Sequence, residues 1–212
     1  IGYHKDGSKS SETTYKDGKP HGTEIHYHED GSKKSEITYV DGKRHGTGIG
    51  YHKDGSKSSE TTYKDGYKDG LQTRWHKNGQ KSWEDTYKDG KRHGLWTQWN
   101  ENGQKNWEDT YKDGKRHGLL TRWWPNGQKR LEENYPGGKR HGLWTQWYEN
   151  GQKEWERIYK DGKLVTAVAW KRNGEKCPVT NVVEGNGIRV DYNYNGTEKL
   201  RVTYKDGELV KD

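Results

Sequence analysis

Gly94-Leu-Trp-Thr-Gln-Trp-Asn-Glu-Asn-Gly-Gln-Lys-Asn-Trp-Glu-Asp-Thr-Tyr111 is one copy of a pattern that recurs along most of this 212-residue chain. Two dipeptides punctuate it, Asn102-Gly103 within the copy and Asp113-Gly114 just beyond it. Both supply the positive φ values that tight hairpin turns require, and the runs between them are about six residues, the usual strand length. Those runs are rich in Thr, Trp and Tyr, which suit a pleated surface, while glycine recurs too often for helix. The stretch predicts one antiparallel hairpin.

Outward from this copy the period is 24 residues. Tyr15, Tyr39, Tyr63, Tyr87, Tyr111, Tyr135 and Tyr159 stand at equal intervals, each followed three residues later by glycine. Between them runs a second comb: Tyr3, Tyr27, Tyr51, Trp75, Trp99, Trp123 and Trp147. Self-similarity at a fixed period means a stacked array in which each unit buries its surface against its neighbours. The expected fold is therefore all-β, an elongated array of antiparallel β-hairpins forming a single twisted meander. Three zones divide it. Residues 1–66 carry Tyr with Asp-Gly-Ser, and residues 67–162 carry Trp with Asn-Gly-Gln. From residue 163 to 212 the period breaks, as expected of an atypical segment that caps the array and blunts its edge.

Alternation along a strand assigns faces. Leu95, Thr97 and Trp99 share one side of the first strand, and Trp107, Asp109 and Tyr111 share one side of the second. The expectation is that the two combs interleave as a continuous contact ladder of Tyr and Trp rings. On the other side, Glu12, Glu36, Glu60, Glu84, Glu108, Glu132 and Glu156 would form a charge ladder, with Arg74 and Arg122 as cross-strand partners. Seven equivalent acids make a structural row and no active site.

Composition supports a folded chain of unusual chemistry. The apolar fraction is 25%, low enough to suggest disorder, yet 11 Trp and 15 Tyr recur in register, which disordered chains do not show. The net charge of +7 comes from interleaved signs, the pattern of a solvated surface. Cys177 stands alone, which excludes a disulfide framework, and no apolar stretch approaches a membrane span. Ile1–Gly18 repeats Ile49–Gly66 residue for residue, so the chain opens in mid-repeat. The expectation from this is a longer natural polypeptide, with room for a signal peptide or lipid anchor.

Gly-Lys-Arg-His-Gly after Tyr-Lys-Asp, alternating with Trp-x-Glu-Asn-Gly-Gln-Lys, resembles the variant MORN repeat, and in particular bacterial MORN-type antitoxin-like proteins. The resemblance covers residues 1–162 densely. It implies a non-enzymatic antiparallel sheet used for protein contacts, sometimes with membrane or lipid association, in a cell-envelope or extracellular setting. The early copies depart from it, with Asp-Gly-Ser in place of Asn-Gly-Gln.

Other constellations are few. Lys-Arg-His-Gly turns place Arg44, His45, Arg92, His93, Arg116, His117, Arg140 and His141 along one edge as a candidate basic rim for phosphate. Acidic residues between the aromatics argue against nucleic acid. No histidine spacing suits a zinc site, and no nucleophile constellation or phosphate-cradling loop is present, so neither cofactor nor metal nor catalysis is expected. The leading functional reading is a scaffold that contacts protein partners, or further copies of itself, through an aromatic sheet face. The alternatives are polysaccharide stacking on the Trp row and an antitoxin or immunity role.

Overall fold

The computed structural model describes residues 1–193 and 195–210. Tyr194, in the returning repeat-like segment, and Lys211 and Asp212, at the charged ending, lie outside the described residues. The fold is all-β and antiparallel. Among the described residues the one helical element is a three-residue 3-10 turn, Pro136–Gly138, and no helix is long and apolar enough to cross a membrane.

The chain divides into two compact units, residues 1–104 with 111–114, and residues 105–110 with 115–212. In the first, Gly22–Tyr27, Lys33–Val40, Lys43–Tyr51, Lys57–Lys64, Tyr67–Trp75, Lys81–Lys88 and Lys91–Trp99 pair in succession as a meander. Its N-terminal end is thinner. Lys9–Glu12 meets Gly22–Tyr27 through Ser11↔His26 and Glu12↔Ile25, and Tyr15–Lys16 pairs separately with Lys19–Pro20. Pro20 stands at the repeat position of Arg44, so this copy loses both the cation and a backbone donor.

In the second unit the meander runs from Lys115–Trp123 through Lys129–Tyr135, Gly142–Trp147, Lys153–Lys160 and Lys163–Ala169. It continues through Asn181–Val183, Asn186–Tyr192 and Glu198–Lys205 to Glu208–Leu209. The segment past the last regular repeat therefore stays in the meander, and it adds aliphatic bulk. Leu164, Ala167, Ala169, Cys177 and Val182 join Leu120, Leu131, Trp144, Trp155 and Tyr159 in one buried cluster.

The two turn types differ. At the Asp-Gly turns both residues have positive φ (Asp113 52°, Gly114 81°), as a two-residue hairpin requires. The Asn-Gly connections do not follow that expectation. Only Gly103 is left-handed (φ 79°); the Asn100 carbonyl accepts from the Gly103 N–H at 2.9 Å, and the Gln104 carbonyl accepts from the Asn100 N–H at 2.9 Å. This is a four-residue turn ending in a glycine bulge, and the pairing register slips beside it in hairpin after hairpin. Asn102 instead braces the loop through its side chain, whose Oδ1 accepts the Gln104 N–H at 3.1 Å.

Asp-Gly-Ser copies build the same loop, with Asp30 Oδ1 accepting from the Ser32 N–H at 2.9 Å and the Ser32 hydroxyl at 2.5 Å. Asparagine alone keeps a spare donor. Asn78 Nδ2 donates to the Glu101 carbonyl at 2.7 Å, Asn126 to that of Glu149 at 2.8 Å and Asn150 to that of Arg172 at 3.1 Å. These three asparagines thus tie their copies to the next, whereas Asn102 Nδ2 donates to Gln104 Oε1 of its own loop at 3.2 Å. Asn126→Asp, which removes the donor and preserves the acceptor, should destabilise the chain by about 1 kcal/mol. Urea denaturation checks this, and Asp54→Asn should not lower the midpoint.

Candidate functional site

Directly opposed residues on paired strands share a face, and the register separates the two combs. Glu84 lies opposite Thr97, and Trp83 opposite Gln98. Glu132 lies opposite Thr121, Glu156 opposite Thr145, and Tyr159 opposite Gly142. Trp99, Trp123 and Trp147, two residues beyond those threonines, therefore share the glutamate face. Tyr87, Tyr111, Tyr135 and Tyr159 occupy the other. The expected single ladder of alternating Tyr and Trp is corrected to two separate rows. The cause is parity: counting alternation within one strand leaves the pairing register free.

On the glutamate face each acid pairs with the lysine three residues earlier on its own strand: Lys9–Glu12 and Lys33–Glu36 at 3.0 Å, Lys57–Glu60 at 2.7 Å, and Lys105–Glu108, Lys129–Glu132 and Lys153–Glu156 at 2.5 Å. Lys81 and Glu84 pair likewise. A regular strand would put these residues on opposite sides; the bulge carries the lysine across. Arg74 and Arg122, expected as partners of this row, lie on the other face over Trp83 (5.0 Å) and Trp107 (3.5 Å). The lysines also cover the comb, with Lys81 Nζ 5.8 Å from the Trp99 ring centre and Lys129 Nζ 6.0 Å from that of Trp147. These rings are not bare platforms for sugar stacking. In the early copies the comb hydroxyls donate to the acids, Tyr51 to Glu36 at 2.5 Å and Tyr27 to Glu12.

The opposite face is built from arginine and aromatic rings. Arg92 lies 5.7 Å from the Trp96 ring centre and 5.2 Å from that of Tyr111, while its Nε donates to Asp85 Oδ2 at 2.7 Å. Asp85 is 1% exposed. Arg116 repeats the arrangement, with Asp109 at 2.7 Å and the Tyr135 ring at 5.7 Å. Arg44 covers Tyr63, and Arg140 covers both Trp144 and Tyr159. The ring contacts run Tyr135–Trp144 at 5.0 Å and Trp144–Tyr159 at 4.9 Å, so Trp144 takes the place in the spine expected of Trp147. Tyr15 and Tyr39 begin this comb; Tyr15 is exposed, and Tyr39 accepts from Arg44 Nε at 3.5 Å.

The basic rim is corrected accordingly. Tyr39↔Arg44 and Tyr87↔Arg92 pair across the two-residue turn, which turns these arginines onto the tyrosine side. The histidines remain at the edge, each against the next turn. His45, His93 and His141 Nδ1 stand 3.7, 3.5 and 3.5 Å from the carboxylates of Asp65, Asp113 and Asp161. His117 Nδ1 accepts from the Gly137 N–H at 3.3 Å. With an aspartate beside each of these three imidazoles, the edge offers phosphate little net attraction.

One feature went unread in the sequence. Leu71 and Leu95 in the first unit, and Leu119 and Leu143 in the second, hold one repeat position on the glutamate face and are 46–53% exposed. Their recurrence at 24-residue intervals was the available signal.

The repeat so described is matched, at residues 20–41, 44–65, 92–113, 116–135 and 140–161, by the MORN repeat variant family. The chain belongs to that family. The matches cover just over half of it. Among curated proteins nothing matches the chain. The unmatched stretch between MORN repeats contains Tyr67-Lys-Asp in place of Lys-Arg-His, and the fold accommodates it: Lys68 Nζ lies 4.7 Å from the Tyr87 ring centre, where the other copies use arginine.

Arg92→Ala leaves a buried carboxylate without its cation. Because Arg92 is itself 40% exposed, the expected cost is about 2 kcal/mol, below that of a fully buried pair. Adding Asp85→Thr, the residue found at the same position as Thr61, should restore most of it in a double-mutant cycle. Alkali gives a second test. Tyr51, through its bond to Glu36, and Tyr135 and Tyr148, through burial, are raised from 10.0 to about 12. A raised folded pKa contributes stability that is complete below the unfolded value and is lost as pH climbs from 10.0 through about 12. Tyrosinate absorbance should therefore show a late class of tyrosines released together with unfolding.

Proposed function

We propose that this MORN-repeat protein is a non-enzymatic scaffold that binds protein partners, further copies of itself among them, through the glutamate face. The observation that carries this reading is the leucine row. Beyond the exposed Tyr3 and Tyr15, comb rings such as Tyr51, Trp99 and Tyr111 are engaged within the fold by carboxylate, lysine or arginine, whereas the leucines repeat at one position and remain open to solvent. In each unit, exposed leucines bordered by Lys–Glu pairs have the composition of an interaction surface, with an apolar centre and a polar rim. The resemblance of the sequence to antitoxin-like proteins adds a toxin as one class of partner, and an envelope or extracellular setting goes with it.

Light scattering across a concentration series tests the self-association arm. Leu95→Asp with Leu119→Asp should weaken assembly roughly tenfold or more, the effect of losing apolar anchors, with an unchanged strand signal by circular dichroism. A chain that is monomeric at every concentration would remove self-assembly from the proposal. Assembly indifferent to both substitutions would remove the leucine row.

A further inference from the structure

We propose that an open groove on the arginine face of the first unit binds a neutral mono- or disaccharide. Two cross-strand rows form it. His26, Ser35, Gly50 and Ser59 are opposed in sequence across four strands, and Glu24, Ile37, Gly48 and Thr61 form the row beside them. The groove has a volume of about 230 Å³, and four strands span roughly 14 Å, the length of a short saccharide.

Elsewhere the chain fills these positions. Trp83 and Trp155 stand where Ser59 does, Trp96 and Trp144 where Gly48 does, and Asp85 where Thr61 does. Here the floor is backbone, and close packing keeps it so. A Cβ on Gly50 would lie 2.5 Å from Ser59 Oγ, and one on Gly48 would lie 2.8 Å from Ile37 and 3.2 Å from the Tyr63 ring. The gap therefore comes from the glycines and serines of the first copies, on a strand register that the later copies share.

The lining selects the ligand class. Ser35 and Ser59 hydroxyls make no side-chain hydrogen bond among the described residues, and a hydroxyl both donates and accepts. Glu24 uses Oε1 for the Thr13 hydroxyl at 3.0 Å and holds Oε2 3.7 Å from His26 Nε2, with acceptor capacity to spare. Arg44 and the Tyr63 ring close the other side. A sugar can exchange its water bonds for these groups pair by pair. An anion or a cation would meet Glu24 and Arg44 together, and an apolar ligand would meet Ile37, Ile49 and the Tyr63 ring interrupted by these charged groups and hydroxyls. This inference is independent of the scaffold reading, which rests on the opposite face.

Amide NMR of the full chain, titrated with D-glucose, D-galactose, N-acetyl-D-glucosamine and their β-linked disaccharides, tests it. The expected result is saturable shifts of the Gly48 and Gly50 amides at millimolar sugar. Glu24→Gln should weaken binding roughly tenfold, the loss of one charge-assisted hydrogen bond. Ser59→Trp, which copies Trp83, should abolish it while the strand signal persists. No response at these amides to any of the sugars overturns the proposal. So does unchanged affinity in Glu24→Gln, or an equal response to glycine or inorganic phosphate. The leucine-row variants should titrate like the wild type, which separates failure here from failure of the scaffold reading.

Discussion

A cation laid over the tyrosine ring of the following copy, in two copies an arginine bonded behind to a buried aspartate, is the interaction that recurs through the regular part of this sheet. A chain with 25% apolar residues has little oil to bury. The guanidinium groups of Arg44, Arg92, Arg116 and Arg140 cover ring surface, and those of Arg92 and Arg116 also neutralise Asp85 and Asp109, which alone would be costly to desolvate. Cation–π contacts are worth about 0.5–1 kcal/mol when exposed and 2 or more when desolvated, so one arginine serves two otherwise unfavourable burials. At Pro20, which supplies neither a cation nor a backbone donor, the sheet thins to two-residue pairings, whereas Lys68 keeps the cation and the full pairing. Where aliphatic residues return, from Leu164 onward, a conventional buried cluster takes over.

Much of the fold is legible in the sequence because it is encoded locally. The period, the strand lengths and the two-residue Asp-Gly turns depend on neighbours within a few residues, and backbone φ at Asp113 and Gly114 bears this out. What escapes a reading of single strands is parity. The bulge at the Asn-Gly loops, as beside Gly79, shifts the count by one, and one residue exchanges every side chain between faces. That single shift separates Trp99 from Tyr111, brings Lys81 onto the side of Glu84 and sends Arg74 to Trp83. Tyr87 and Arg92 could have been placed together, since a two-residue turn pairs the residues flanking it. The leucine row was visible as letters, but its exposure follows from the face it occupies.

The two versions of the repeat are one architecture with different fillings. Asp-Gly-Ser satisfies its own loop and stops there; Asn-Gly-Gln does the same and, at Asn78, Asn126 and Asn150, reaches the next copy. On the arginine face the early copies carry Ser and Gly where later ones carry Trp, so the same backbone gives an open polar groove in one place and a packed aromatic stack in another. Function in such an array resides in which positions are filled, with the strand pairing held constant.

Several of the bonds joining one copy to the next reach the same distance along the chain. His52 and His76 imidazoles meet the Trp75 and Trp99 carbonyls, Trp124 Nε1 donates to that of Trp147, and each join spans 23 residues. A whole copy gained or lost by unequal recombination would leave the strand register and its faces intact. Loss of a single codon would invert a face. The length of such a protein can therefore drift only in quanta, and the letter-for-letter agreement of Ile1–Gly18 with Ile49–Gly66, two copies apart, is the trace that duplication in whole units leaves.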